Sequence, residues 1–261
     1  MGFFHAYGLE LLPDHKKKEH AMLAVIGGSR LTSLPILTVT HRQIVRTPYG
    51  DPSCAMTFGQ LGSHSMVFLA RHGYGNSIAP HEINYRANIW ALQSLGVRQV
   101  LAIGSAGGIR PDLAPGSLVL PHDVIDHTWG RKHTYHEGPG VALQHVDFAQ
   151  PYDMQLRQRV LSAAARQGVA LVPDGVYACT QGPRLESAAE VSALEVQGAD
   201  MVGMTGMPEA ALARELGLSY ASLCIVTNYA AGKNRGVADR NFNTQLIMQA
   251  TQRLQEVLLA L

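Results

Sequence analysis

Apolar runs of five to eight residues, bounded by glycine or polar clusters, alternate along most of this chain with stretches whose apolar positions recur at helical spacing. "MLAVIGG" (22–28) predicts a buried strand ending in glycines, and "HSMVFLARHG" (64–73) a second ending in Arg71-His72. "INYRANIWALQSLG" (83–96) sets Ile83, Ala87, Trp90 and Ala91 on one helical face and closes at Gly96. "RQVLAIGSAGG" and "GSLVLPHDVID" predict two more strands. A helix from Asp153 to Gly168 follows, with an acidic N-cap and a glycine stop. Then come a strand "GVYACTQG", a helix over 185–197, a strand "DMVGMT", a helix opening at Pro208, a strand "SYASLCIVTN" and a final helix from about 241. This alternation predicts a single α/β domain around a central mixed, largely parallel sheet flanked by helices.

Residues 1–21 do not join the pattern. Their basic cluster follows the apolar part, the reverse of a secretory signal, and Ala6 stands where a myristoylation signal needs Ser or Thr. They are expected to form a loosely attached N-terminal extension, with the domain over 22–261.

Composition narrows the function classes. The chain has 261 residues, 46% hydrophobic and 16% charged, with a net charge of +1. That balance gives no electrostatic footprint for nucleic acid or an anionic membrane. No apolar run reaches the roughly 20 residues of a membrane span. Cys54, Cys179 and Cys224 are far apart and form no CxxC pair, which fits reduced thiols and a cytoplasmic setting. The twelve histidines all lie at or before His145 without metal-ligand spacing, so no metal is implied.

Ligands of an open α/β sheet collect at the C-terminal ends of its strands. Four predicted strand ends are rich in small and polar residues: "GGSR", "ARHG", "GSAGG" and "MTGMPE". "GGSRL" is not a dinucleotide fingerprint, "IGSAG" lacks the first glycine of a nucleophile elbow, and "HEINY" is not a zinc motif. What remains is an oxyanion cradle. Gly27-Gly28-Ser29 offers backbone N–H groups and a hydroxyl, and Arg71 two parallel donors shaped to a phosphate edge. Gly104-Ser105 and Thr205 offer further donors. Singly, these residues read as well as tight turns, an ion pair and a helix cap.

"GGSRL", "LARHG", "INYRANIWAL", "TQGPRLES", "MVGMTGMPEAALARE" and "VTNYAAG" together resemble the trimeric purine nucleoside and methylthioadenosine phosphorylases, in order from Leu23 to the C-terminus. The likeness is strongest to the bacterial branch acting on 5′-methylthioinosine. It implies attack of inorganic phosphate, a co-substrate rather than a cofactor, on C1′ of a nucleoside through an oxocarbenium-like state. Ser29, Arg71, His72, Gly104, Ser105 and Thr205 match the family's phosphate ligands. Met204 and Tyr85 match the ribose side, and Glu186, Asn228, Ala230 and Leu185 the base side. An ionised Glu186 accepts from the N1–H of a 6-oxopurine and repels the N1 lone pair of adenine, while Asn228 donates to O6 or N7. Adenine-preferring members carry a small hydroxyl residue and Asp at those two positions. Helix polarity and turn formation explain the same two residues equally well.

The likeness further implies a 5′ pocket walled by Val237 and Phe242 in place of the histidine used for ordinary nucleosides, and a homotrimer in which His145 serves the neighbouring subunit's site. Arg30 and Asn76 depart from the usual glycine and histidine. The expected reaction is phosphorolysis of 5′-methylthioinosine to hypoxanthine and 5-methylthioribose 1-phosphate. Inosine or guanosine phosphorolysis is the alternative, and a purine-binding protein with weakened catalysis a third reading.

Overall fold

The computed structural model describes residues 22–29, 31–233 and 240–261, the side chains of 240–243 apart. Its strands are β1 (Leu23–Gly27), β2 (Thr38–Gln43), β3 (Met56–Leu61), β4 (His64–Ala70), β5 (Gln99–Gly108), β6 (Leu118–Val119), β7 (Asp123–Asp126), β8 (Val176–Cys179), β9 (Met201–Gly203) and β10 (Ser219–Tyr229). Its helices are α1 (Tyr85–Ser94), α2 (Met154–Arg166), α3 (Ala188–Val196), α4 (Glu209–Glu215) and α5 (Arg240–Leu259). The strands form one sheet, in the order β2-β3-β4-β1-β5-β9-β8-β7, with β10 and then β6 branching from β5.

Pairing is parallel for β1–β4, β1–β5, β5–β10, β7–β8 and β8–β9, and antiparallel for β2–β3, β3–β4, β5–β9 and β6–β10. The sheet is mixed as expected, but its antiparallel share is enlarged by the β2–β3–β4 meander, two strands of which the hydrophobic pattern does not announce. β2, "TVTHRQ", is exposed at all six positions and carries no apolar face. "GSLVLPHDVID" also divides: β6 pairs with β10 and β7 with β8, so Pro121-His122 carries the chain from one part of the sheet to the other.

Strand side chains alternate across the sheet. Ala24 and Ile26 join a core with α1 and α4, whereas Val25 joins one with α2 and α5. Val100 and Ala102 against Leu101 and Ile103 repeat this on β5. Both faces are therefore buried, which explains why these strands read as continuous apolar runs. A smaller core of Val191, Leu194, Val202 and Ala230 seats α3.

The helix ends follow local chemistry. Asn84 and Asp153 cap α1 and α2 by accepting from the backbone N–H of Ala87 and Leu156. α3 starts at Ala188, three residues later than the pattern predicts, because Ser187 and Glu190 form a capping box there. Among the described residues, no helix is long and apolar enough to cross a membrane.

β1 ends where the chain turns back on itself. A Cβ on Gly27 would lie 2.0 Å from the Leu31 carbonyl oxygen and 2.7 Å from the Phe68 ring. Gly27→Ala is expected to cost about 3 kcal/mol of stability, the upper range for overpacking, measured as a lower urea midpoint at unchanged m-value.

Candidate active site

A cavity of about 670 Å³ opens at the C-terminal ends of β1, β4, β9 and β10 and along the second half of β5. This is an ordinary size for a small-ligand site. Of the expected phosphate residues, Ser29, Arg71, His72, Gly104, Ser105 and Thr205 all line it. Met204, Leu185, Glu186, Asn228 and Ala230 line it too.

At one end Gly28, Arg71, Gly104 and Thr205 converge. A Cβ on Gly28 would sit 3.3 Å from Arg71 Nη1 and 3.5 Å from Gly104 Cα, and one on Gly104 would sit 3.9 Å from Thr205 Oγ1. The absence of two side chains thus brings bare backbone up to the guanidinium and leaves room beside the Thr205 hydroxyl. Gly104 and Ser105 belong to β5, paired with Cys224 and Ile225 of β10, inside the strand predicted from "RQVLAIGSAGG" and not in a tight turn. Thr205 is not a helix cap, since α4 begins after Pro208. Its backbone N–H donates to the Tyr177 hydroxyl at 3.3 Å.

Arg71 corrects the sequence reading most. The residue is 1% exposed, and its parallel donors are taken within the protein: Nε donates to Glu209 Oε2 at 2.7 Å and Nη2 to Glu209 Oε1 at 2.8 Å. Nη1 donates to the Ile103 carbonyl at 2.9 Å. One proton on each terminal nitrogen is left for a ligand. Burial alone would lower the Arg71 pKa, but the Glu209 charge and its hydrogen bonds outweigh that and hold it above its usual value. Tyr220 donates its hydroxyl to Glu209 Oε1 at 2.8 Å, so the fully buried carboxylate carries three donors. Glu209 stands in the "GMPEAALARE" segment, where an acid in the first turn of a helix reads as a match to the helix dipole.

Beside Arg71, the His72 ring N–H at Nδ1 donates to the Ile78 carbonyl at 2.8 Å, leaving Nε2 as an acceptor when the ring is neutral. Burial pushes the His72 pKa down, with the Arg71 charge adding to the effect against the Ile78 bond. His72 is therefore a neutral polar wall and not a second cation. Burial also pushes the thiols of Cys179 and Cys224 up to about 12 and about 11, so both stay protonated.

The other end is built by the segment between β8 and α3. Glu186 lies before the N-cap of α3, and the first-turn acid is Glu190. Glu190 accepts from Arg184 Nη1 and Nη2 at 2.8 and 2.6 Å and from the Ser187 N–H at 2.7 Å, which drops its pKa to about 2. Dipole matching is thus the task of Glu190, and Glu186 is free of it. Thr180 donates to Glu186 Oε1 at 2.5 Å. Asn228 follows a bulge in β10, accepting from Thr227 Oγ1 at 2.9 Å and donating to the Tyr229 carbonyl at 2.7 Å. Leu185 is 73% exposed at the rim, so core packing does not explain it.

Two expected residues are not brought into the cavity. Tyr85 is buried beneath it and donates its hydroxyl to the carbonyl of Pro80, which itself lines the wall. The ribose contact expected of Tyr85 is thereby replaced by support of Pro80. His145 is exposed in the loop before α2 and lines none of this chain's cavity. Val237, the Phe242 side chain and Arg30 lie outside the described residues.

Arg131 carries no signal in the sequence, being one basic residue in a polar loop. It is buried, and donates from Nη1 to the Met207 carbonyl at 2.5 Å and from Nη2 to the carbonyls of Thr180 and Gln181 at 3.3 and 2.8 Å. Nε donates to Gln181 Oε1 at 3.1 Å. One side chain thus ties the Glu186 segment to the start of α4, which carries Glu209.

Two outcomes are expected. Glu209→Ala strands a buried guanidinium and should cost about 3–5 kcal/mol, read from chemical denaturation. His72, with its folded pKa lowered below the 6.5 of an exposed imidazole, takes up its proton in the unfolded chain first. Stability should therefore fall as pH drops below about 6.5 and be untouched above it. His72→Gln should flatten that slope in denaturation midpoints measured from pH 7.5 to 5.

Comparison with known proteins gives the family. Residues 23–261 match the family model of the phosphorylase superfamily. A "Probable S-methyl-5'-thioinosine phosphorylase" of Pseudomonas syringae pv. tomato is 49% identical over 214 residues, covering 82% of this chain and 87% of that protein. One of the same name from Xanthomonas campestris pv. campestris is 52% identical, covering 80% and 84%. A "6-oxopurine nucleoside phosphorylase" of Pyrococcus furiosus is 41% identical, covering 91% of each chain. Among solved structures, a methylthioadenosine phosphorylase from Schistosoma mansoni in complex with adenine superposes with a TM-score of 0.86 at 32% identity, covering 92% of this chain and 90% of that one. The chain belongs to the phosphorylase superfamily and is one of its purine nucleoside phosphorylases.

Proposed function

We propose that this chain cleaves 6-oxopurine nucleosides with inorganic phosphate, with 5′-methylthioinosine as the leading substrate. One observation carries the base assignment. Glu186 lines the cavity together with Asn228, while the helix-capping task that would otherwise explain it is done by Glu190. Glu186 accepts the N1 proton of a 6-oxopurine, and the second amide proton of Asn228 goes to O6 or N7. Adenine presents a lone pair at N1 instead, so a buried mismatch of this kind discriminates by about 10⁴.

Phosphate sits among the N–H groups of Gly28 and Ser29, the outer donors of Arg71, and the hydroxyls of Ser105 and Thr205, with His72 at its side. From there it faces C1′ of a ribose resting over Met204. Holding the nucleophile in line and accepting charge on the leaving base supply the rate enhancement. The phosphate is attracted locally, because the chain's net charge of +1 offers no general field.

The 5′-methylthio preference is supported by the names of the bacterial relatives near 50% identity and by a sequence with no histidine after His145. The Pyrococcus furiosus relative supports the second reading, a general 6-oxopurine nucleoside phosphorylase. The working enzyme is proposed to be a cytoplasmic homotrimer in which His145 reaches the neighbouring subunit's site. The exposure of His145 and Trp129 fits that assembly.

Purine release assayed with and without phosphate tests the reaction. Release is expected only with phosphate, and equal release in its absence would make the enzyme a hydrolase. Glu186→Ser combined with Asn228→Asp is expected to lower kcat/KM for inosine and 5′-methylthioinosine by about 10² or more and to admit adenine nucleosides. Unchanged hypoxanthine preference in that double variant would remove both residues from base reading.

A further inference from the structure

We infer that Thr180 is a positioning residue for base selection: its hydroxyl fixes one oxygen of Glu186 so that the other is presented to the purine. The inference rests on the 6-oxopurine reading of the site.

Glu186 has little else to hold it. It lies outside α3, so no helix N–H groups reach it as they reach a capping acid. Its neighbour Arg184 is turned to Glu190 through two hydrogen bonds of 2.8 and 2.6 Å. Leu185 projects outward at 73% exposure. Among the described residues, the hydrogen bond on the Glu186 carboxylate is the one from Thr180, at 2.5 Å.

Thr180 is well placed for this task because its backbone is fixed on both sides. Its N–H donates to the Gly203 carbonyl at 2.8 Å, which extends the β8–β9 pairing by one residue. Its own carbonyl accepts from Arg131 at 3.3 Å. The hydroxyl has one proton and two acceptors within reach, Glu186 Oε1 at 2.5 Å and the Gly203 carbonyl at 3.3 Å. The shorter, charge-assisted bond takes the proton. Thr180 thereby stops the carboxylate from rotating away and leaves Oε2 for the purine. A β-branched side chain on an extended backbone has few χ1 options, so the hydroxyl is held where it is needed.

The prediction concerns selectivity more than rate. Thr180→Val keeps the shape and deletes the donor; Thr180→Ser keeps the donor. For the Val variant, the ratio of kcat/KM for inosine to that for adenosine should fall roughly tenfold, the loss of one charge-assisted hydrogen bond. The KM for phosphate should stay within about twofold, and the Ser variant should restore the ratio. If Thr180→Val does not fold, as judged by thermal melting, Thr180→Ala takes its place with the same expectation.

Glu186→Gln, run alongside, separates two kinds of failure. If Glu186→Gln collapses the ratio while the Thr180 donor-deletion variant keeps it at the wild-type value, the Thr180 inference is overturned and the base reading stands. If the wild-type enzyme has no preference for inosine over adenosine, the base reading falls and this inference with it. A parallel loss for both nucleosides, accompanied by a raised phosphate KM, would mark Thr180 as a fold residue and likewise overturn the inference.

Discussion

The buried pair of Arg71 and Glu209 is the interaction on which the rest of the site depends. Two desolvated charges are costly unless their geometry is close to ideal and their remaining valences are satisfied. Here the guanidinium is bidentate to the carboxylate, the Ile103 carbonyl takes a third N–H, and Tyr220 adds a donor to Glu209. The arrangement joins four elements that are distant in sequence: the end of β4, the middle of β5, the first turn of α4 and the start of β10. With the arginine anchored from behind, glycines at 28 and 104 let backbone approach it from the front. An anion arriving there meets a cation whose charge is already largely balanced. It is held by directed N–H and O–H donors, a grip suited to a co-substrate that must also leave as a sugar phosphate.

The end proposed to hold the purine is organised on a different plan. Two acidic residues stand four positions apart in "PRLESAAE", and their surroundings divide the labour between them. Glu190 closes the capping box and takes both terminal nitrogens of Arg184. Glu186, one residue before the cap, faces the cavity with Thr180 behind it. Arg131 links the two ends, since the carbonyls it holds belong to the Glu186 segment on one side and to the entry of α4 on the other. Such a strut keeps the distance between the two ends fixed, as the proposed in-line attack demands.

Much of this was legible in the chain itself. Strands buried on both faces announce themselves as apolar runs, helices by spacing and caps, and cradle residues by glycine and hydroxyl clusters at strand ends. β2 stayed hidden because every one of its residues is exposed and its existence comes from pairing with β3. Gly104-Ser105 allows a strand or a tight turn, and pairing with β10 carries the strand through it. Tyr85 sits in a motif beside the site, but its hydroxyl turns to the Pro80 carbonyl, away from the cavity.

The sequence by itself determined the α/β alternation and the residues available for an oxyanion cradle, because these follow from local periodicity and residue chemistry, and its resemblance to the phosphorylases pointed to Glu186 and Asn228 as the pair proposed to read the base. Only the tertiary structure decided what each charged group is for. Arg71 and Glu209 are 138 positions apart, and Arg131 and Met207 are 76 apart. No local signal records such partners. Charge pairing is a property of distance in space, and the fold alone sets that distance.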